Sequence, residues 1–136
     1  MRRKDREIVG EEIETILQKG EYGILSTVGQ DGKPNVGQKL ENISYCSEVC
    51  FVVVGDTTVQ PEKFGTLYES VILTGQMMPS KDKQVSLVAL LEKYSKEFLE
   101  KGMQYIQAAW DKTGTYVICP EQITGKAKRT PQHTKL

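Results

Sequence analysis

The sequence predicts an α+β domain, and two observations lead to this fold class. Strand-like segments rich in β-branched and aromatic residues end in turn signals, whereas the second half of the chain shows apolar residues at helical spacing. The predicted strands are also too few and too scattered for the regular strand–helix alternation of a parallel sheet. An α+β domain, and not a parallel α/β array, is therefore the expected fold class.

The first half of the chain predicts two helices and two strands. Ile13, Ile16 and Leu17 fall on one helical face, and Gly20 follows in the position that a helix C-terminus favours. The strands are β-branched, and the second is a continuous apolar run typical of a buried strand. In chain order these elements are predicted at Gly10–Lys19, Tyr22–Val28, Gly37–Tyr45 and Cys50–Val54.

The second half predicts a loop, a strand, two helices and a last strand. Ser80 is the expected N-cap of the first helix, and Ser95 that of the second. The final strand is predicted to end before Pro120, with a short extension over Ile123–Lys126. The remaining predicted elements are the loop Thr57–Gly65, the strand Thr66–Met77, the helices Ser80–Tyr94 and Ser95–Lys112, and the strand Thr115–Cys119.

Composition excludes several classes of protein. The chain has 136 residues, 38% of them hydrophobic, and its 18 basic and 18 acidic residues give a net charge of zero. This composition excludes a disordered tail and argues against a nucleic-acid-binding protein, which needs a basic excess. We expect one domain over residues 1–127, a polar tail over 128–136, no membrane segment and a cytoplasmic location.

The reactive side chains favour chemistry carried by an organic cofactor. Cys46, Cys50 and Cys119 are odd in number, so a disulfide framework is excluded and reduced thiols are expected. His133, in the tail, is the only histidine in the sequence, which argues against a zinc site and against imidazole base catalysis. We therefore predict no metal site and name no catalytic residue.

Two segments are candidate binding sites, and each has a plain structural alternative. Gly37, Gln38 and Lys39 precede a short helix, where a lysine can meet a phosphate or can simply face solvent. Thr66, Tyr68 and Ser70 alternate along a strand and share one face. Such a face suits a flat heterocyclic ligand or a subunit contact, and it is equally typical of a half-exposed antiparallel strand.

Several segments in order resemble the FMN-binding split β-barrel superfamily related to pyridoxamine 5′-phosphate oxidase, in its 5-nitroimidazole-resistance (Nim-type) branch. The matching segments cover most of the chain. They are Arg2–Ile8, Tyr22–Val28, Asp31–Pro34, Gly37–Ile43, Val49–Gly55, Pro61–Phe64, Tyr68–Ile72 and Ile123–Ala127. The resemblance implies an antiparallel, Greek-key-like split barrel that forms a homodimer, with FMN in a groove between the subunits.

The resemblance also implies roles for the two candidate segments. Lys39, with Gly37 and Gln38, matches the motif whose lysine approaches the FMN phosphate, and Thr66, Tyr68 and Ser70 match the strand that lines the flavin groove. The chain departs from the family between Asn35 and Val36, where about twenty residues that would form two strands are absent. We therefore expect an incomplete barrel whose open edges a second subunit covers.

Two hypotheses about function follow. The first is a homodimeric flavin-dependent oxidoreductase acting on a small molecule, related to nitroimidazole reductases or to pyridoxamine-phosphate oxidase. The second is a non-catalytic dimeric remnant of the fold that no longer holds flavin tightly.

Overall fold

The computed structural model describes residues 3–37 and 39–131, which form six strands and four α-helices. Single turns of 3₁₀-helix occur at Lys4–Arg6, Pro61–Lys63, Lys96–Phe98 and Trp110–Lys112. The strands are β1 (Glu7–Ile8), β2 (Ile24–Val28), β3 (Pro34–Asn35), β4 (Glu48–Gln60), β5 (Gly65–Pro79) and β6 (Tyr116–Lys128). The helices are α1 (Glu11–Lys19), α2 (Lys39–Tyr45), α3 (Lys83–Tyr94) and α4 (Leu99–Ala109).

The six strands form one antiparallel sheet in the order β1-β6-β5-β4-β2-β3. The sheet does not close on itself, and the edge strand β3 is only two residues long. The structure thus confirms the α+β class and the incomplete barrel expected from the segment missing after Asn35.

The Cα positions divide the chain into two compact units. The sheet unit comprises Met1–Gln76 and Pro120–Leu136, and the helical unit comprises Met77–Cys119. The prediction of one domain over residues 1–127 is not tested by this division and stays a prediction.

One face of the sheet, which we call the inner face, carries the core of the sheet unit. Val53 and Val71 lie opposite each other on β4 and β5, and Val71 has no exposed surface. They pack with Ile8 of β1 and Ile16 of α1. Ile16 is buried because α1 turns its apolar stripe toward the sheet, as the helical spacing predicts.

A buried amide connects α2 to the short edge of the sheet. The Asn42 side chain is 3% exposed, and its Nδ2 donates to Thr27 Oγ1 at 2.9 Å and to Asn35 Oδ1 at 2.8 Å. Thr27 lies on β2 and Asn35 on β3, so the amide joins three elements. The bond network holds α2 against β2 and β3.

The β4–β5 hairpin is longer than the sequence predicts. The predicted loop Thr57–Gly65 is wrong over its first four residues, which belong to β4. There β4 pairs with β5 from Thr57, opposite Tyr68, to Gln60, opposite Gly65. Cross-strand pairing overrides the polar composition here. A register shift between Val54 and Thr57 marks a β-bulge.

The last strand also exceeds its predicted end. β6 runs through Pro120 to Lys128, so the predicted stop at Cys119 is wrong and the short extension belongs to the same strand. β1 pairs only with Gly125 and Lys126, so one side of β6 is an open edge at Pro120. Proline is tolerated at such an edge because no ladder hydrogen bond is lost there.

The helical unit contains the two predicted helices with different ends. Asp82, not Ser80, is the N-cap of α3, since its side chain accepts from the backbone N–H of Val85 at 3.1 Å. The backbone N–H of Ser80 instead donates to the carbonyl of Thr115. α4 begins at Leu99, so Ser95 does not cap it, and Gly102 lets Leu91 of α3 approach closely.

No helix among the described residues is both long enough and apolar enough to cross a membrane. In the same part of the chain, Cys46, Cys50 and Cys119 are unpaired.

Candidate functional site

Thr66, Tyr68 and Ser70 lie together on the face of β5 that points away from the core. Val71 is fully buried and therefore marks the inner face of this strand. Side chains alternate along a strand, so residues one, three and five positions before Val71 point to the opposite face. All three are half-buried. The structure therefore places the predicted flavin-lining residues in one row on what we call the outer face.

The outer face is apolar beside this row of hydroxyl groups. Val52 lies opposite Ile24 of β2 on one side and opposite Ile72 of β5 on the other. Ile24 is 54% exposed, Val54 55% and Ile72 41%. An apolar patch with hydroxyls along its edge can accept an aromatic ring system or a second protein surface.

Lys39 and Gly37 lie elsewhere. Lys39 is the first residue of α2, and both residues are exposed, whereas Gln38 lies outside the described residues. None of the described pockets includes Gly37 or Lys39 in its lining.

The two predicted parts of the site lie far apart within one chain. Asn42, one helical turn after Lys39, bonds to Thr27, which is in register with Val49 and, through it, with Gly75 of β5. Tyr68 is seven residues farther along β5, a distance of roughly 23 Å at 3.3 Å per residue. Lys39 thus adjoins the Gly75 end of this stretch of β5, and the hydroxyl row lies toward its other end.

The grooves of the sheet unit do not suit a phosphate. One, of about 470 Å³, lies between the end of α1 and the β4 bulge, and Glu21, Asp56 and Glu69 are among its lining residues. Another, of about 490 Å³, adjoins α2 and includes Asp31 and Glu41. Carboxylates repel a phosphate dianion, so neither groove is a ready site for the FMN phosphate.

Sequence reasoning missed a cation beside the predicted row. Arg6 Nη1 donates to the hydroxyl of Tyr68 at 3.3 Å, and the guanidinium carbon lies 6.0 Å from the centre of the Tyr68 ring. The helical turn Lys4–Arg6 brings the N-terminal segment there, and the side chain is half-buried. The basic residues of Arg2–Ile8 indicated a positively charged segment. Its position beside Tyr68 depends on the pairing of β1 with β6, which the sequence does not reveal.

Two lysines of β6 point to the same outer face. Ile8 of β1 is buried on the inner face and lies in register with Gly125. Lys126 is one residue along, and Lys128 two further, so strand alternation starts both side chains toward the outer face. The Lys128 ammonium lies beside Gly65, at the start of β5. We call Arg6, Lys126 and Lys128 the basic corner.

Other charges near this end of the sheet are already paired. Arg129 binds Glu12 of α1 at 2.5 Å and Glu69 of β5 at 2.9 Å, and the hydrogen bonds to Glu12 and then Glu69 raise the pKa of its guanidinium. Arg3 and Asp5 form an exposed pair at 2.6 Å. The hydrogen bond from Arg3 lowers the pKa of Asp5 from 3.8 to about 2.

The fold is shared with solved structures of low sequence identity. The conserved hypothetical protein Rv2991 from Mycobacterium tuberculosis is 16% identical, with a TM-score of 0.74 over 92% of this chain and 88% of its own. A proposed 5-nitroimidazole antibiotic resistance protein from Bacteroides thetaiotaomicron is 15% identical, with a TM-score of 0.61 over 89% of this chain and 86% of its own. An FAD-binding protein from Mesorhizobium loti is 19% identical, with a TM-score of 0.60 over 91% of this chain and 98% of its own.

A further similar structure is that of a heme storage protein. The heme storage protein HutZ from Vibrio cholerae is 14% identical, with a TM-score of 0.58 over 86% of this chain and 93% of its own. No family model and no curated protein sequence matches the chain. The likenesses establish the split β-barrel fold.

Proposed function

We propose that the protein is a homodimeric FMN-binding flavoprotein of the Nim-type branch and acts as an oxidoreductase on a small molecule. The observation that carries the proposal is the outer face, where the hydroxyls of Thr66, Tyr68 and Ser70 border the exposed side chains of Val54 and Ile72. The FAD-binding Mesorhizobium protein, which has the same fold, supports the choice of a flavin, and the Bacteroides protein supports the Nim-type branch.

The residues suit FMN in kind, but one chain does not bring them together. The apolar patch and the hydroxyl row suit the flavin ring, and Lys39 suits the phosphate. Lys39 and the row adjoin positions of β5 that are about 23 Å of extended strand apart, and we propose that a second copy supplies one of the two parts. The proposal therefore includes the dimer.

In such a dimer the protein binds and orients, and the flavin when bound supplies electron transfer. Lys39 of one subunit holds the phosphate, helped by backbone N–H groups. The hydroxyls of Thr66, Tyr68 and Ser70 of the other subunit orient the ring. The apolar side chains of the outer face exclude water from the ring.

A fluorescence titration with FMN and riboflavin tests this arrangement. Lys39→Ala removes one charge-assisted contact, which contributes about 1.5–3 kcal/mol, so FMN should bind roughly ten- to hundredfold more weakly. Riboflavin has no phosphate and should bind the variant as it binds the unchanged protein. Lys33→Ala is the matched control, because Lys33 is also exposed and lies in the turn before β3.

Each other result contradicts a stated part of the proposal. Equal weakening for both ligands would mean that Lys39 acts through the fold, and no weakening would move the phosphate site elsewhere. If the unchanged protein binds neither flavin, the non-catalytic remnant of the fold becomes the better hypothesis. A parallel titration with heme, followed by its Soret absorbance, tests whether the ligand of the protein resembles that of HutZ.

A further inference from the structure

We infer that the basic corner, together with the hydroxyl of Tyr68, is a binding site for the phosphate group of a phosphate monoester. Arg6 lies against Tyr68, and Lys126 and Lys128 project from the neighbouring strand to the same face. The inference deepens the proposed function, on which it depends only for the identity of the molecule that carries the phosphate.

The first argument is the imbalance of charge at this place. The whole chain has a net charge of zero. Lys4 adds a further cation, while the carboxylates nearby are Glu7, opposite Lys126 in register, and Asp5, which is paired with Arg3. Cations thus outnumber carboxylates locally, and such clustering attracts anions that the chain as a whole does not.

The second argument is that the cations of the corner are not paired internally. Within residues 3–37 and 39–131, no carboxylate lies within ion-pair distance of Arg6, Lys126 or Lys128. Arg129, by contrast, is satisfied by Glu12 and Glu69. The corner therefore retains charge that Arg129 does not.

The third argument is preorganisation. Tyr68 holds the Arg6 guanidinium by a hydrogen bond and by its ring face, while the side chain is half-buried. A guanidinium fixed in this way loses little further freedom on binding and presents paired N–H donors that match phosphate oxygens. The Tyr68 and Thr66 hydroxyls can donate to the same oxygens, because both lie on the outer face.

The phosphate can come from two sources. It can be the phosphate of FMN itself, in place of Lys39, or that of a small-molecule substrate bound beside the flavin. Both sources present the same dianionic oxygens to Arg6, so direct binding of inorganic phosphate tests the site, and the flavin titration identifies the source.

The experiment follows inorganic phosphate by ³¹P NMR during titration of the full-length protein. Arg6→Gln with Lys126→Gln should weaken phosphate binding about tenfold or more, since two charge-assisted contacts are lost. Arg6→Lys should recover part of it, because the charge remains but the paired donors do not. Lys33→Gln with Lys112→Gln removes the same charge from exposed positions outside the corner and should change binding less than twofold.

Equal phosphate affinity in the Arg6/Lys126 variant and in the control would overturn the inference, as would no measurable binding by the unchanged protein. Circular dichroism and the thermal midpoint identify a variant that fails to fold, and Tyr68→Phe then provides a second, milder test with an expected two- to threefold loss.

The flavin titration separates this inference from the proposed function. If Arg6→Gln abolishes the preference for FMN over riboflavin, the corner holds the flavin phosphate. If that preference depends on Lys39 alone while phosphate binding depends on Arg6, the substrate carries the second phosphate. If phosphate binds but no flavin does, the inference stands and the proposed flavoprotein function fails.

Discussion

The two faces of the sheet differ in what covers them. On the inner face, Val53 and Val71 are 4% and 0% exposed and pack with Ile8 and Ile16. On the outer face, one residue away along the same strands, Val54 and Ile72 are 55% and 41% exposed. Aliphatic side chains of the same kind are thus buried on one face and exposed on the other. Residue type alone therefore does not distinguish the face of a strand that stabilises the fold from the face that is free to bind.

The difference assigns separate tasks to neighbouring residues. Residues of the inner face hold the sheet unit together through buried apolar area. Residues of the outer face contribute less to the single chain and are available for a ligand or a second subunit. Substitutions at adjacent positions test whether these tasks are independent.

Val71→Ala should have the largest effect on folding. It removes two methyl groups from a site with no exposed surface, which lowers the free energy of unfolding by about 2–3 kcal/mol. Ile72→Ala, the next residue, should cost under about 1 kcal/mol in dilute protein, where single chains predominate, because its side chain is partly exposed. Urea unfolding at low protein concentration measures both, and similar losses would contradict the division of tasks.

Ile72→Glu should affect association more than folding. A charge on the outer face is readily solvated in the single chain but is costly between two apolar surfaces, so the dimer should weaken by about tenfold or more. Light scattering over a range of micromolar concentrations measures the change, with Ile72→Val as the conservative control. A stable monomer of the unchanged protein would contradict the proposed dimer.

The exposed pair beside the basic corner should show the smallest effect. The folded pKa of Asp5 lies near 2, below its ordinary value of 3.8, so the pair stabilises the fold above about pH 4 and ceases to do so as pH falls through 2. Arg3→Gln should return the carboxyl pKa toward 3.8. An NMR titration of the Asp5 side chain measures this, and an unchanged midpoint would show that Arg3 is not the cause.

Local patterns predicted the order and type of most elements. The spacing of Ile13, Ile16 and Leu17 predicted α1, and the turn after Val28 ended β2 as expected. Errors fell where tertiary pairing decides the structure: Thr57–Gln60 is strand because β5 pairs with it, and Pro120 remains in β6. Neither outcome is encoded in the local residues alone.

The candidate site was predictable only in part, for the same reason. Alternation correctly placed Thr66, Tyr68 and Ser70 on one face of one strand. It could not show that Lys39 adjoins the Gly75 end of β5, away from Tyr68, since that placement follows from the packing of α2 against β2. Nor could it reveal Arg6 beside Tyr68, because 62 residues separate the two in sequence.

The Asn42 hydrogen bonds have a consequence for the order in which the chain folds. Asn42 reaches partners only 15, 7 and 5 residues away, at Thr27, Asn35 and Gly37. The bond between Arg129 and Glu12 closes a loop of 117 residues. Because the entropy lost in closing a loop grows with its length, we expect the short edge of the sheet to form early. The N- and C-terminal segments, and with them Lys126 and Lys128 beside Arg6, should assemble late.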